Sequence, residues 1–430
     1  MKNYCKLFAT IDQRKSIGIA IVLASFIVIG SLLPDELSLQ RWVAAFFAAN
    51  ALVSMALSFV LSTRHDTIES IFGGLDRMYQ IHRWAGMWAV FSIFMHWWLV
   101  PEASQAHSGF SMAELGSDTG EWATWLLLFL ITISFLKVIP YRWWKWTHRL
   151  MGLVFIITIL HFVFAIKPFG LLSPAGIAMS ITSVVGVYAW WYFLCGKDTS
   201  KRYLAKAQNV TVDDNVVSFE AKPLHSRPEW SAGQFAFISL KNHRHLPSEA
   251  HPFTIANYNQ EGIPRFAVSG LGDYTKALIK HLQDGDKIEL DMPYGRFKLA
   301  HNQRHQIWMG AGIGITPFLA WLQCLAEQPN EKMKVTLYYL VRNKEGAIFE
   351  KELTSLCQQV SQVELKVIYS DDGRLTPQAI EAHLGNDIED AELYFCGPEP
   401  LRDSMTQGLE SLGMPANRVH YELFDFRGAI

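Results

Sequence analysis

Four histidines stand inside two apolar stretches of the chain, in pairs of nearly equal spacing. His82 and His96 bracket HRWAGMWAVFSIFMH, and His148 and His161 bracket HRLMGLVFIITILH. An ionisable side chain in an apolar helix is costly and usually functional, and imidazole is the commonest protein ligand to haem iron. At ~1.5 Å per residue, the members of each pair lie about 20 Å apart along a helix, one near each membrane face. Facing helices would then hold two stacked b-type haems, His82 pairing with His148 and His96 with His161. The plainer reading of any one histidine is a bond to a neighbouring helix; two pairs at matched depth favour ligation. At ~100° per residue the first pair falls about 40° apart, but the second about 140° apart. The helix bearing His148 and His161 is therefore expected to leave ideal geometry, through a π-bulge or an underwound turn helped by Gly152. His65 and His107 lie in connections and are read as structural, although His107 could sit near the outer exit.

These histidines need helices that cross a membrane. Six apolar stretches, near 16–33, 42–61, 79–100, 122–139, 147–166 and 174–195, can each supply the ~20 residues that span ~30 Å of hydrocarbon. The apolar run after Lys2, Lys6, Arg14 and Lys15 lacks a small-residue cleavage site and is read as a retained first span. Pro140 and YRWWKW separate the fourth and fifth stretches and predict a tight hairpin. Arg14 and Lys15, then Arg64, Arg77 and Arg83, then Lys137, Arg142, Lys145 and Arg149 fall at alternate connections, and the intervening ones are acidic. The positive-inside rule puts both termini in the cytoplasm, and the expected location is a bacterial-type inner membrane.

The remaining residues read as a soluble protein. Over 203–300, short alternating runs (NVVSFEA, QFAFISL, RFAVSG, KIELDM) predict an antiparallel β-barrel. From 304 onward QIWMG, KVTLYYLV, ELKVIYS and AELYFCG alternate with helical stretches and predict an open parallel α/β sheet. The expected fold is thus a six-span all-α transmembrane bundle (1–197), a barrel (203–300) and an α/β domain (304–430). The net charge of −2 gives no sign of a nucleic-acid partner, and the five cysteines lack the CxxC spacing of a zinc or thioredoxin-like site.

Five motifs lie at the junctions of these elements. HPFTIAN (His251 to Asn257) places Phe253 where it can lie against a flavin and Thr254 where it can bond the flavin ring nitrogen. SGLGDYTKALIK opens a helix whose free N–H groups suit a pyrophosphate, and DMPYG (Asp291 to Gly295) closes the barrel. GAGIGITPF (Gly310 to Phe318) is a glycine-rich turn entering a helix, suited to a dinucleotide although it is not GxGxxG. CGP (Cys396 to Pro398) ends a later strand at the edge where open α/β sheets bind ligands; a lone cysteine there is more often simply buried.

HPFT, GxGIGxTPF, CGP and a near-terminal aromatic, in this order, resemble the ferredoxin-NADP reductase superfamily. Joined to six spans with two histidine pairs, nearly the whole chain resembles the ferric reductase and NADPH oxidase family. The resemblance implies that His251, Pro252, Phe253 and Thr254, with Gly272, Tyr274 and Thr275, hold FAD. It implies that Gly310, Gly312, Gly314, Thr316 and Pro317 cradle the phosphates of NADH or NADPH, and that Cys396, Gly397 and Pro398 lie beside the nicotinamide. Phe424, or alternatively Phe426, would stack on the flavin; the other reading is a C-terminal strand packing its aromatics in the core. Thr254, Cys396 and Phe424 are the implied catalytic residues.

Two departures matter. NADPH-selective relatives often place serine then arginine where this chain has Ser370 then Asp371, and that carboxylate would repel a 2′-phosphate, although Arg342 or Arg374 could pair with one. Oxygen-reducing oxidases keep a histidine one turn beyond the outer ligand of the third span, where Val100 stands here. The expected reaction passes electrons from NAD(P)H through FAD and two haems to an outer acceptor, oxygen or a ferric chelate, without an obligatory protein partner. The rival readings are a haem-free, membrane-anchored flavin reductase, a cytochrome donating to a periplasmic protein, and a redox sensor. Trp84, Trp88 and Phe91, between the histidine levels, are read as core.

Overall fold

The computed structural model describes residues 15–100, 111–136, 138–139, 141–195, 201–226, 228–240, 243–300, 304–329 and 333–422. Two compact units contain residues 14–197 and 198–430.

The described part of the first unit is helical: α1 (Lys15–Ser31), α2 (Leu39–Ser62), α3 (Asp66–Phe72), α4 (Leu75–Leu99), α5 (Met112–Phe135), α6 (Tyr141–Arg149), α7 (Met151–Phe164) and α8 (Pro174–Cys195). Ile27, Trp98 and Val184 are about 70 % exposed (73, 71 and 68 %), whereas Asn50, Ser54 and Ser92 are wholly buried. That distribution reverses a water-soluble domain and suits a bundle whose solvent is hydrocarbon. Among the described residues, α2, the stretch Trp143–Phe164 and α8 are long and apolar enough to cross a membrane, and Ala20–Ser31 is a shorter apolar helix. The other two long helices fall short in composition rather than length. α4 carries Asp76, Arg77 and Arg83 with two histidines and four tryptophans, and α5 has Glu114, Asp118 and Glu121 in its first half.

Helices approach most closely at small residues. On α5, a Cβ at Gly116 would strike the Ala165 backbone, and one at Gly120 would lie 2.5 Å from the His161 ring. Two expectations for the fifth stretch are corrected. YRWWKW is not a hairpin turn but most of α6. Between α6 and α7 the helix tightens where widening was expected: Leu150 N–H donates to Thr147 O (3.0 Å) and Leu153 N–H to Leu150 O (2.9 Å). The physical reason is directional. The ideal helix stops about 140° short of a whole turn, and a 3-10 segment at ~120° per residue supplies rotation in the missing sense. Gly152 instead makes room for the Trp190 indole. Of the three aromatics read as core, Trp88 packs on Phe26 and Phe47, and Phe91, though 46 % exposed, packs on Trp88 and Phe47; Trp84 is 70 % exposed and is not core.

In the second unit β1 (Arg202–Asp213), β2 (Val216–Pro223), β3 (Phe235–Leu240), β4 (His251–Tyr258), β5 (Pro264–Ser269) and β6 (Lys287–Tyr294) close an antiparallel barrel in the order β1-β2-β5-β4-β3-β6. Helix α9 (Asp273–His281) joins β5 to β6. Period-two alternation is clean in β6, whose Ile288, Leu290, Met292 and Tyr294 point inward. There follow β7 (His305–Ala311), α10 (Thr316–Glu327), β8 (Lys334–Val341), α11 (Glu350–Gln359), β9 (Val363–Tyr369), α12 (Pro377–Leu384), β10 (Glu392–Cys396), α13 (Glu399–Ser411) and β11 (Val419–Tyr421). The parallel order is β11-β10-β7-β8-β9, with β8 buried along nearly its whole length. The three-residue β11 was not among the expected strands.

Trp321 of α10 stacks on Phe297 (4.8 Å), meets Trp308 of β7 edge-on (5.0 Å), and donates from Nε1 to Ala232 O (3.3 Å). This cluster joins the chain leaving the barrel to the sheet.

Candidate redox-cofactor sites

In the helical unit, α2 lies antiparallel to α4, and α5 to α7. The histidine rings meet in the pairs expected from depth, with centroids 6.0 Å apart for His82 and His148 and 6.1 Å for His96 and His161. Imidazoles on opposite sides of one metal need about this spacing, two metal–nitrogen distances of ~2.0–2.1 Å plus the depth of each ring. Nδ1 of His82 donates to Ser58 O (3.0 Å), Nδ1 of His96 to Ala44 O (2.9 Å), and Nδ1 of His161 to Gly116 O (2.7 Å). A proton on Nδ1 leaves the Nε2 lone pair free, the arrangement that orients a metal-ligating histidine. His148 is the exception: its Nδ1 is buried without a hydrogen-bond partner, and its ring stacks on Trp144 (5.3 Å, 17°).

Among the described residues no three His, Cys, Asp or Glu side chains converge as a metal site. The donor sets are pairs, which fit a metal whose other four positions come from a porphyrin. An apolar crevice of about 360 Å³ lies between α4 and α5 at the depth between the two pairs, lined by Met87, Phe91, Phe94, Leu127, Leu128 and Ile131 among others. His65 does local work, its Nδ1 accepting from Thr67 N (3.3 Å) at the start of α3. His107 lies outside the described residues.

In the second unit, the first strand of HPFT is the start of β4. Thr254 is buried and pairs with Phe235 of β3, while His251 stacks on Tyr274 at 3.9 Å. Pro252 and Phe253 are half-buried between them along β4. Tyr274 occupies the first turn of α9, and its hydroxyl is buried with no hydrogen-bond partner. Burial first, then the Glu249 carboxylate, push this phenol up to about 12, so it remains a neutral donor. Gly272 caps α9, and the Thr275 hydroxyl accepts from Gly272 N (3.0 Å), leaving its role in the cap rather than in a cleft.

The nucleotide edge follows from strand order. β7 is central: its helix α10 leads to β8 on one side, whereas β10 lies on the other, so the carboxyl ends of β7 and β10 flank the topological switch point. GAGIGITPF and CGP occupy those two ends, and Cys396 pairs directly with Gly310. Gly312, at φ +54°, turns the chain into a 3-10 segment ahead of α10. A Cβ on Gly314 would strike the Cys396 carbonyl. Thr316 Oγ1 donates to Ile313 O (3.0 Å), and Pro317 sits in the first turn of α10. Gly397 follows Cys396 closely enough that a Cβ there would lie 2.8 Å from the Ala311 side chain, and Pro398 precedes α13.

Burial, then Glu422, push the Cys396 thiol far above its ordinary value, so it stays protonated through neutral and mildly alkaline pH. Because the thiolate is the reactive species, iodoacetamide at pH 8 is expected to label the exposed Cys195 well before Cys396, as read by peptide mass spectrometry; the reverse order would contradict this assignment. Glu422 is the site residue that sequence reasoning passed over. Its carboxylate influences Cys396 and lies 2.5 Å from where a Cβ of Gly295 in DMPYG would stand. The signal was present in YELFDFR, which was read only for its phenylalanines. Phe424 and Phe426 lie outside the described residues. Arg342, 83 % exposed at the end of β8, pairs through Nε with Asp371 at the end of β9 (3.5 Å).

Three family models match along the helical unit, the barrel and the parallel sheet. Residues 47–159 match the ferric reductase like transmembrane component, 201–337 an FAD-binding domain, and 309–407 an oxidoreductase NAD-binding domain. The chain therefore has the ferric reductase and NADPH oxidase architecture, and is an integral membrane protein.

Among curated proteins, the flavohemoprotein of Bacillus subtilis is 25 % identical over 225 residues, covering 49 % of this chain and 55 % of that one. The ferredoxin reductase component of 3-ketosteroid-9-alpha-monooxygenase from Rhodococcus rhodochrous is 28 % identical over 206 residues, covering 47 and 58 %. The chain thus spans little more than half the length of these relatives. The structure of flavohemoglobin from Malassezia yamatoensis, with bound FAD and heme, aligns over 96 % of this chain and 99 % of that one at a TM-score of 0.50 and 19 % identity, a likeness of fold alone.

Proposed function

We propose that this protein is a transmembrane flavocytochrome b that moves electrons from cytoplasmic NADH or NADPH, through FAD and two stacked b-type haems, to oxygen or a ferric chelate on the other face. The observation that carries the reading is the pair of imidazole couples at 6.0 and 6.1 Å, stationed at two depths of one bundle. All six helical stretches cross the membrane in this reading, with 1–197 as the haem domain, 203–300 as the FAD domain and 304–430 as the NAD(P)H domain. The basic alternate connections place both termini in the cytoplasm.

FAD, when bound, accepts a hydride and releases electrons singly, and b-type haem carries them one at a time. The chain's own residues bind, orient and exclude. His82 with His148, and His96 with His161, would hold the haems through Nε2, and Nδ1 bonds on three of the four fix ring orientation. Thr254, Phe253 and the α9 N-terminus hold FAD, with Tyr274 as a neutral donor beside His251. Gly310, Gly312 and Gly314 keep side chains away from the nucleotide phosphates, while Cys396 packs beside the nicotinamide as an uncharged thiol. Glu422 Oε1 lies at the same edge, beside Gly295. Phe424 shields the flavin until the nicotinamide arrives. Were the outer haem held by both His96 and His161, transfer to oxygen or a ferric chelate would be outer-sphere.

Asp371 disfavours a 2′-phosphate and occupies Arg342. Asp371→Ser removes the repulsion and frees the guanidinium, so kcat/KM for NADPH relative to NADH should rise about tenfold. An unchanged ratio would exclude this pair from cofactor choice.

The test of the function is directional. Proteoliposomes with ferric chelate trapped inside and NAD(P)H added outside should reduce the trapped iron only through inside-out molecules. Reduction confined to externally added chelate would overturn the transmembrane route.

A further inference from the structure

The two histidine couples are not equivalent. His82, His96 and His161 are each tied through Nδ1 to a carbonyl on a neighbouring helix, 24, 52 and 45 residues away in sequence. The His148 Nδ1 has no such tie although it is buried, and the ring is held by Trp144, one turn earlier on the same nine-residue helix. That helix ends at Arg149, where the tight turn at Leu150 separates it from α7. Apart from its meeting with the His82 ring, the restraint on His148 is thus local to α6, whereas the other three rings are hydrogen-bonded to neighbouring helices.

An imidazole that binds iron through Nε2 must carry its proton on Nδ1. At three positions that proton meets a carbonyl; at His148 it would be a buried donor without an acceptor. Hydrogen-bond partners behind a ligating imidazole are worth about 10–100-fold in metal affinity. We propose that His148 is an exchangeable axial ligand, so that the iron it shares with His82 admits a small neutral molecule of the carbon monoxide class, while the His96–His161 iron stays closed. In the exchange the bond from iron to His148 Nε2 breaks, a bond from iron to the incoming atom forms, and no electron changes hands. The inference rests on the haem reading above.

The experiment uses the purified full-length protein, reduced with dithionite and mixed with carbon monoxide, with haem content measured separately as the pyridine haemochrome. Two haems per chain, of which one forms the carbonyl complex at a rate that saturates with carbon monoxide, is the expected result. Saturation reports release of His148 as the limiting step. Trp144→Ala, which keeps all four histidines, should raise that limiting rate about tenfold, the lower end of what an orienting partner contributes. Two haems with no carbonyl complex would overturn the exchange while leaving the haem reading intact. So would a complex whose kinetics are indifferent to the Trp144→Ala substitution. No haem at all would overturn the underlying reading itself.

Discussion

His96→Ala is expected to remove one haem per chain and to reduce transmembrane electron flow at least about 100-fold, while NAD(P)H still reduces the flavin. The two imidazoles of each couple lie on different helices, and the loss of either leaves an iron with a single protein ligand. The hydrogen-bond partner behind a ligating imidazole is alone worth about 10–100-fold in metal affinity, and the ligating nitrogen itself contributes more. His161→Ala should match His96→Ala, because the two serve the same iron; His82→Ala should remove the other haem. Haem content by pyridine haemochrome, with flavin bleaching as the internal control, checks the set. Equal haem in wild type and His96→Ala would sink the ligand assignment.

Gly314→Val is expected to abolish nucleotide-dependent flavin reduction, by at least about 100-fold, without loss of bound FAD. A Cβ at this position would collide with the Cys396 carbonyl, so a branched side chain must force apart the ends of β7 and β10. Overpacking at a close backbone approach costs about 1–3 kcal/mol or more, and it falls at the edge where the dinucleotide enters. The barrel residues Thr254 and Tyr274 do not touch Gly314 in this account, so FAD fluorescence quenching should persist. The informative control is Gly312→Ala, where open space surrounds the residue but φ is +54°. Its cost is conformational and smaller. Loss of FAD together with nucleotide turnover in Gly314→Val would show a general collapse rather than a blocked edge.

The sequence carried the fold class through local periodicity. Alternation in KIELDM became β6, and the buried run KVTLYYLV became β8, because a two-residue period and a fully buried strand each leave their own pattern. The histidine pairs were legible because ionisable groups are rare in apolar helices. Their meeting was not fully legible, since it depends on a turn at Leu150 whose sense of winding no residue type announces. YRWWKW was misread because its aromatics and bases suit a membrane interface whether or not they are helical. Glu422 was missed for another reason. Its partners, Cys396 and Gly295, are distant in sequence, and only the closing strand β11 brings the three together. His148 differs from the other three histidines only in what its Nδ1 faces, a tertiary fact invisible in HRLMGLVFIITILH.

The central claim is that one chain joins nicotinamide oxidation to paired haems. Its most direct test is the absorption spectrum of the purified, FAD-loaded protein, recorded without oxygen before and after addition of NADH or NADPH. The account predicts flavin bleaching followed by a reduced b-type spectrum from two haems per chain, diminished in His96→Ala. Flavin bleaching with no haem signal would contradict it and would leave a membrane-anchored flavin reductase whose histidines only bond between helices.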